Sequence, residues 1–189
     1  PAAATDGAGQ AVATIASTTA ELKTITVTVN PAGTPVVLND TAAVQFIGDA
    51  SNISASLSDV VAVPAVDVVA DGVATSIVTV TLKDINDNVV PGVDVELSST
   101  GSNNTITQRS GPTDAAGQAM GTIASTTAEL KTLTMTADPS GAAIALATQP
   151  TVQFIGDKAN VSASLSTVMA APTLDVVANG VDASTVTVV

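Results

Sequence analysis

Cysteine, histidine, tryptophan and tyrosine are all missing from the 189 residues, and Phe46 and Phe154 are the only aromatic side chains. Without cysteine there is no disulfide framework, thiolate zinc site, iron–sulfur cluster or thiol nucleophile. Without histidine the common Ser-His-Asp and Cys-His arrangements are lost, together with the commonest general base. Aromatic stacking is the usual means of holding sugars, unstacked bases and flavins, so its scarcity counts against sites for all three. Basic residues are scarce as well. Five of them face 17 acidic ones, for a net charge of −12, a balance that repels phosphate backbones and anionic membrane surfaces. Nucleic acid is not an expected partner. No apolar run approaches the roughly 18 residues of a membrane span, so this segment is not expected to insert in a membrane. The chain opens on Pro1 with neither an initiator Met nor a leader, which reads as a processed or partial sequence.

What the chain does have is 46% apolar residues, ample for packed cores made of Val, Ala, Ile and Leu. The acidic surplus keeps such an apolar-rich chain soluble. Ser and Thr are abundant, but they recur at alternate positions where a solvent-facing strand residue is expected. A Ser-Lys dyad would need Lys23, Lys83, Lys131 or Lys158 desolvated beside a serine, and no pattern marks one out.

The main signal is self-similarity. Thr113 onward repeats Thr5 onward without a gap, at an offset of 108 residues. Thr14 to Thr24 recurs letter for letter as Thr122 to Thr132, Gln45 to Asp49 recurs as Gln153 to Asp157, and Ser54 to Ser58 recurs as Ser162 to Ser166. Just over half of the overlapping positions are identical, which requires one fold for both units. Turn residues follow strand-like runs at Gly48-Asp49 and Gly156-Asp157, and placing boundaries there divides the chain into three parts. Residues 1–49 are then the C-terminal part of one module, 50–157 a complete module, and 158–189 the opening of the next. A period of this length suits a string of whole domains, since solenoid repeats are about 20–45 residues long.

Within the complete unit, short alternating runs are bounded by Gly, Pro, Asn and Asp about every ten residues, the pattern of an all-β sandwich. Val78, Val80 and Leu82 face one way and Thr79 and Thr81 the other; Val93, Val95 and Leu97 alternate with Asp94 and Glu96. Asp84 to Asn88 is a natural turn, and Pro91-Gly92 suits a second bend or an edge bulge. Further strands are expected at 104–108, 117–124, 130–137 and 150–156. Thr126 with Glu129, and Thr18 with Glu21, have capping-box spacing and predict a single helical turn. Pro64 and Pro172 suit an irregular first strand that switches between sheets.

These residues resemble the bacterial immunoglobulin-like repeats of intimin- and invasin-type surface adhesins (Big-1). The resemblance is carried by Val69 to Gly72 leading into Val78 to Asp84, by Pro91 to Val95, and by Thr113 to Ala119 before Ile123 to Thr127. The family's usual Asn-Gly hairpin is here Asn86-Asp-Asn88, and its usual Asp-Ala-Asn-Gly turn is Asp114-Ala-Ala-Gly117. The resemblance implies tandem Ig-like β-sandwiches that space an adhesive tip from an outer-membrane anchor, outside the cell and without catalysis.

Two constellations need weighing. Asp84-Ile-Asn-Asp-Asn88 matches the string with which cadherins bind calcium between domains, in keeping with that cation's demand for oxygen ligands. Its expected place inside a domain hairpin is wrong for such a site, so a turn is the reading adopted. A Lys-to-Asn isopeptide crosslink would need a buried lysine; Lys83 is the candidate, but the strand phase turns it outward.

The expectation is therefore a non-catalytic spacer or stalk of a repetitive surface adhesin or extracellular fibre. No catalytic, cofactor-binding or metal-ligating residue and no cofactor is assigned. Expected partners are adjacent modules of the same array, like chains in a fibre, and a host or neighbouring-cell receptor reached through a separate tip. The rival reading is a self-assembling filament subunit completed by strand exchange between chains. A weaker one is receptor binding through Thr100 to Thr105, a polar loop without an aromatic or Arg anchor.

Overall fold

Branched side chains alternating with hydroxyl-bearing ones favour pleated, half-buried strands, and the computed structural model, which describes residues 4–108 and 111–189, is built almost wholly of them. Before residue 50 lie β1 (Leu22–Ile25), β2 (Thr28–Val29), β3 (Val36–Val37) and β4 (Ala42–Gln45). A 3-10 turn at Ala50–Asn52 follows. Then come β5 (Asp59–Val63), β6 (Val68–Val69), β7 (Ser76–Thr81), β8 (Val95–Ser99), β9 (Asn104–Thr107), β10 (Gln118–Ser125), β11 (Leu130–Ala137), β12 (Ile144–Ala145) and β13 (Thr151–Ile155). The last two are β14 (Val168–Ala171) and β15 (Thr185–Val188).

Strands β5 to β13 form a two-sheet sandwich. One sheet has the order β5-β7-β10-β9; in the other, β11 is flanked by β8 on one edge and by β12 and β13 on the other, with β6 beyond β13. The expected alternation sets the inner faces: Val78, Val80 and Ala119 project from the first sheet, and Leu97, Leu133, Met135, Val152 and Phe154 from the second. Each large side chain so buried contributes about 1.5–3 kcal/mol of transfer free energy, offset by the entropy of ordering it.

The first strand does switch sheets. Residues 59–63 pair antiparallel with β7, the chain turns through a cis Val63–Pro64 bond and Asp67 at φ 58°, and β6 then pairs in parallel with β13. The predicted helical turns are absent. Thr126 to Glu129 is a bend, because Glu129 gives its carboxylate to Lys131 and to the Ser102 N–H instead of reaching back along its own chain. The 3-10 turn at Ala50–Asn52, unmarked by any helical periodicity, is held by the Asp49 side chain accepting from the Ser51 N–H.

The flanking segments share local backbone conformations with the sandwich. Ala171–Pro172 is cis like Val63–Pro64, and positive φ values recur at Asp67 and Asp175, at Asn30 and Asp138, and at Gly9 and Gly117. They lack the facing strands, however. An apolar groove of about 420 Å³ lies open beside Ala11, Val12, Ile25 and Val27, whereas the sandwich positions corresponding to Ala11 and Ile25, Ala119 and Leu133, are fully buried.

Candidate functional site: the junction before the sandwich

The Asp84–Asn88 turn begins where β7 has run out. Its first residue is held by sequence-local chemistry: an aspartate followed by two asparagines offers one acceptor and a row of N–H donors, and the carboxylate collects them. Asp84 Oδ1 accepts from the backbone N–H of Asn86 at 2.8 Å and of Asn88 at 2.9 Å. The Asn88 side-chain amide donates to both carboxylate oxygens, at 3.2 and 3.0 Å. Oδ2 also accepts the N–H of Asp49 at 3.0 Å, a residue on the other side of the boundary expected from the sequence. Asp84 is 1% exposed. Burial pushes its pKa up, but the Asp49, Asn88 and Asn86 donors together outweigh that and hold it at about 2, below the ordinary 3.8.

This places the turn at the end of the sandwich that abuts the preceding segment, which corrects the sequence reading that set it away from a junction. Its carboxylate is nonetheless saturated by N–H donors, the opposite of the unoccupied oxygen lone pairs a calcium ion requires. Among the described residues no group of three Asp, Glu, His or Cys side chains converges.

Asn88 completes the junction. Its carboxamide oxygen accepts the Ala20 N–H at 2.7 Å and its Nδ2 donates to the Thr18 carbonyl at 2.9 Å. One side chain thus satisfies a donor and an acceptor of the neighbouring segment while keeping its hold on Asp84. Behind it, Gly48 meets the Val89 backbone so closely that an added Cβ would lie 2.2 Å from the Val89 carbonyl oxygen. The chain passes through the junction with Ile85 N–H donating to the Asn52 carbonyl at 3.0 Å and Ser54 N–H to the Lys83 carbonyl at 2.8 Å. The cleft beside these contacts, lined by Ala20, Phe46, Gly48, Val89, Pro91 and Ala115, is only about 150 Å³, small for an organic ligand. The arrangement can fix the preceding segment against the end of the sandwich.

Lys83, the isopeptide candidate, is half-exposed and pairs with Asp87 at 2.7 Å, as its outward phase predicts. The buried lysine is Lys131, 0% exposed, which points inward with Leu133 and Met135 and donates to Glu129 and, at 2.6 Å, to the Ser102 carbonyl. Hydrogen bonds to Lys131 and to the Ser102 N–H hold the Glu129 pKa below the usual carboxylate range. These contacts fold the polar loop of residues 100–105 down onto the sandwich end. Sequence reasoning set the boundary at Gly48-Asp49 but missed Thr18 and Ala20 as junction residues, although the letter-for-letter block around Thr18 was visible.

A family model described as bacterial Ig-like domain (group 1) matches residues 58–155. Among solved structures, InvD of Yersinia pseudotuberculosis is 19% identical and superposes with a TM-score of 0.61 over 82% of this chain and 44% of its own. Invasin, described as a bacterial integrin-binding protein, is 27% identical with a TM-score of 0.56, over 96% of this chain and 34% of its own. The adhesin InvE of Yersinia pseudotuberculosis is 31% identical with a TM-score of 0.50, over 66% of this chain and 32% of its own. The chain therefore spans less than half the length of each. A comparison with curated proteins finds no match.

Proposed function

The chain belongs to the bacterial Ig-like domain family of group 1, and from that premise we propose that it is a spacer in the stalk of a bacterial surface adhesin, with units dividing at Gly48-Asp49 and Gly156-Asp157. Two of its structural neighbours are described as an integrin-binding protein and an adhesin, which supports a non-enzymatic reading. The observation that carries the spacer reading is the junction itself. A two-pronged carboxamide contact, a shared carboxylate and a glycine seated on a neighbouring carbonyl restrict how one unit turns on the next. A chain of such units holds its ends apart, each unit adding roughly 40 Å if strands of eight to ten residues lie along the axis. Among the described residues the sandwich sheets present no exposed aromatic or Arg anchor of the kind that dominates binding interfaces, which supports spacing over receptor capture by this segment. In this setting the protein works outside the cell, and its nearest partners are neighbouring units of the same array. Among the described residues no helix is long and apolar enough to cross a membrane.

The test uses the absence of native cysteine. Spin labels attached through Thr41→Cys and Thr105→Cys, both exposed and on opposite sides of the junction, should give one narrow distance distribution that broadens when Asn88 is changed to Ala. A broad distribution in the parent chain would overturn the spacer reading.

A further inference from the structure

We infer that the far end of the sandwich, at Thr126, Ala128 and Gly156, is a docking surface for a second Asp84–Asn88 turn belonging to another copy of this unit. The contact seen at the near end supplies the template. There, Asn88 reads the Thr18 carbonyl and the Ala20 N–H, and Gly48 leaves room for the Val89 backbone. The corresponding groups at the far end sit in sequence that is identical around them: Thr122 to Thr132 repeats Thr14 to Thr24, and Gln153 to Asp157 repeats Gln45 to Asp49.

The far-end groups are uncovered. Ala128 is exposed where Ala20 is half-buried, and among the described residues the Ala128 N–H and the Thr126 carbonyl have no hydrogen-bond partner. An added Cβ at Gly156 meets nothing within 4 Å, against 2.2 Å at Gly48. No clash within the sandwich therefore requires glycine at 156. The requirement appears only when a backbone like that of Val89 is laid over it, an observation independent of the carboxamide contact. The 3-10 turn's anchor is also in place, because Asp157 accepts from Ala159 N–H at 2.9 Å and binds the Asn160 side chain just as Asp49 accepts from Ser51 N–H at 2.9 Å and binds Asn52. What the surface selects is a carboxamide, because only a group with a donor and an acceptor side by side answers an adjacent carbonyl and N–H. An aspartate there would face the carbonyl without a proton to give.

The experiment lengthens the chain after Val189, the counterpart of Thr81, with a second copy of residues 82–157, and follows amide hydrogen exchange by NMR. In the 189-residue chain Ala128 should exchange roughly 10-fold or more faster than Ala20; in the lengthened chain the two should match. Changing Asn88 to Asp in the added copy should free Ala128 alone, and the same change in the first copy should free Ala20 alone. Ala128 staying fast beside a folded added copy would overturn the inference, and so would an added copy that fails to fold on this surface. The spin-label result bears only on the near junction, so failure of the spacer reading and failure of this one are separable.

Discussion

The same eleven letters occur twice in this chain and meet two fates. In Thr122 to Thr132, Ile123 is 0% exposed, whereas in Thr14 to Thr24 its counterpart Ile15 is 48% exposed. The Lys131 side chain is 0% exposed and that of Lys23 is 34%. Strand formation follows the same divide. In the sandwich the block contributes to β10 and β11, each eight residues long; before residue 50 it yields only the four-residue β1. Local propensity is identical by construction, so the difference measures what facing strands add. Residues 10–16 form no strand, because the partner that β7 provides to β10 is missing from that segment. Propensity offers a strand and tertiary pairing decides its length.

The comparison can be broken most forcefully at its apolar centre. Ile123→Ala should destabilise the sandwich by about 2–5 kcal/mol in urea unfolding, while Ile15→Ala changes the same transition by less than about 0.5 kcal/mol. Equal effects would mean that the flanking segment is packed as fully as the sandwich. Lys131→Met comes next. It strips Glu129 and the Ser102 carbonyl of their buried donor and should cost about 1–3 kcal/mol, against roughly 0–0.5 kcal/mol for Lys23→Met. Thermal melts of the two variants make that contrast directly.

Glycine gives a comparison of similar size at the two ends of the sandwich. Gly48→Ala drives a methyl group into the Val89 carbonyl and should cost about 1–3 kcal/mol, with faster exchange of the Ala20 amide; Gly156→Ala should be silent by both measures in the 189-residue chain. The smallest effect is that of pH. Asp84 is held at about 2 in the folded state against an ordinary 3.8. A carboxylate whose folded pKa is depressed adds stability that is fully present above the unfolded value and is lost as pH falls through the folded one. Stability should therefore decline between about pH 4 and pH 2, by an amount on the order of 1–2 kcal/mol for this group, and Asp84→Asn should flatten its share of that slope in acid titration of the melting temperature.

Much of the fold was legible because the period of two is strict. Val78, Val80, Leu82, Leu97 and Leu133 all lie inside, as their phase requires, and Pro64 marks the sheet switch because proline ends one ladder before the other begins. The helical turn at Thr126 failed for a physical reason: capping-box residues need a helix to cap, and Lys131 competes for the Glu129 carboxylate. Lys131 itself defeated the pattern, since a lysine at an inward position is read as a surface residue unless its partners on the 100–105 loop are known. The junction was half visible. Asp84 to Asn88 announced a turn, but which end of the sandwich it occupied depended on the direction in which β7 delivers it, and that is a property of the sheet.

The parallel pairing of β6 with β13 joins two strands near the entry and exit of the sandwich, Val68 and Val69 lying beside Phe154 and Ile155. If the chain is pulled from both ends, those strands are drawn past one another lengthwise. The Gln153 N–H to Ala65 carbonyl and Ala70 N–H to Ile155 carbonyl bonds, each 2.8 Å, are then loaded together in shear, whereas an antiparallel hairpin pulled at its open end would surrender its bonds one at a time. Under such a load the sandwich yields only when the whole patch gives way at once.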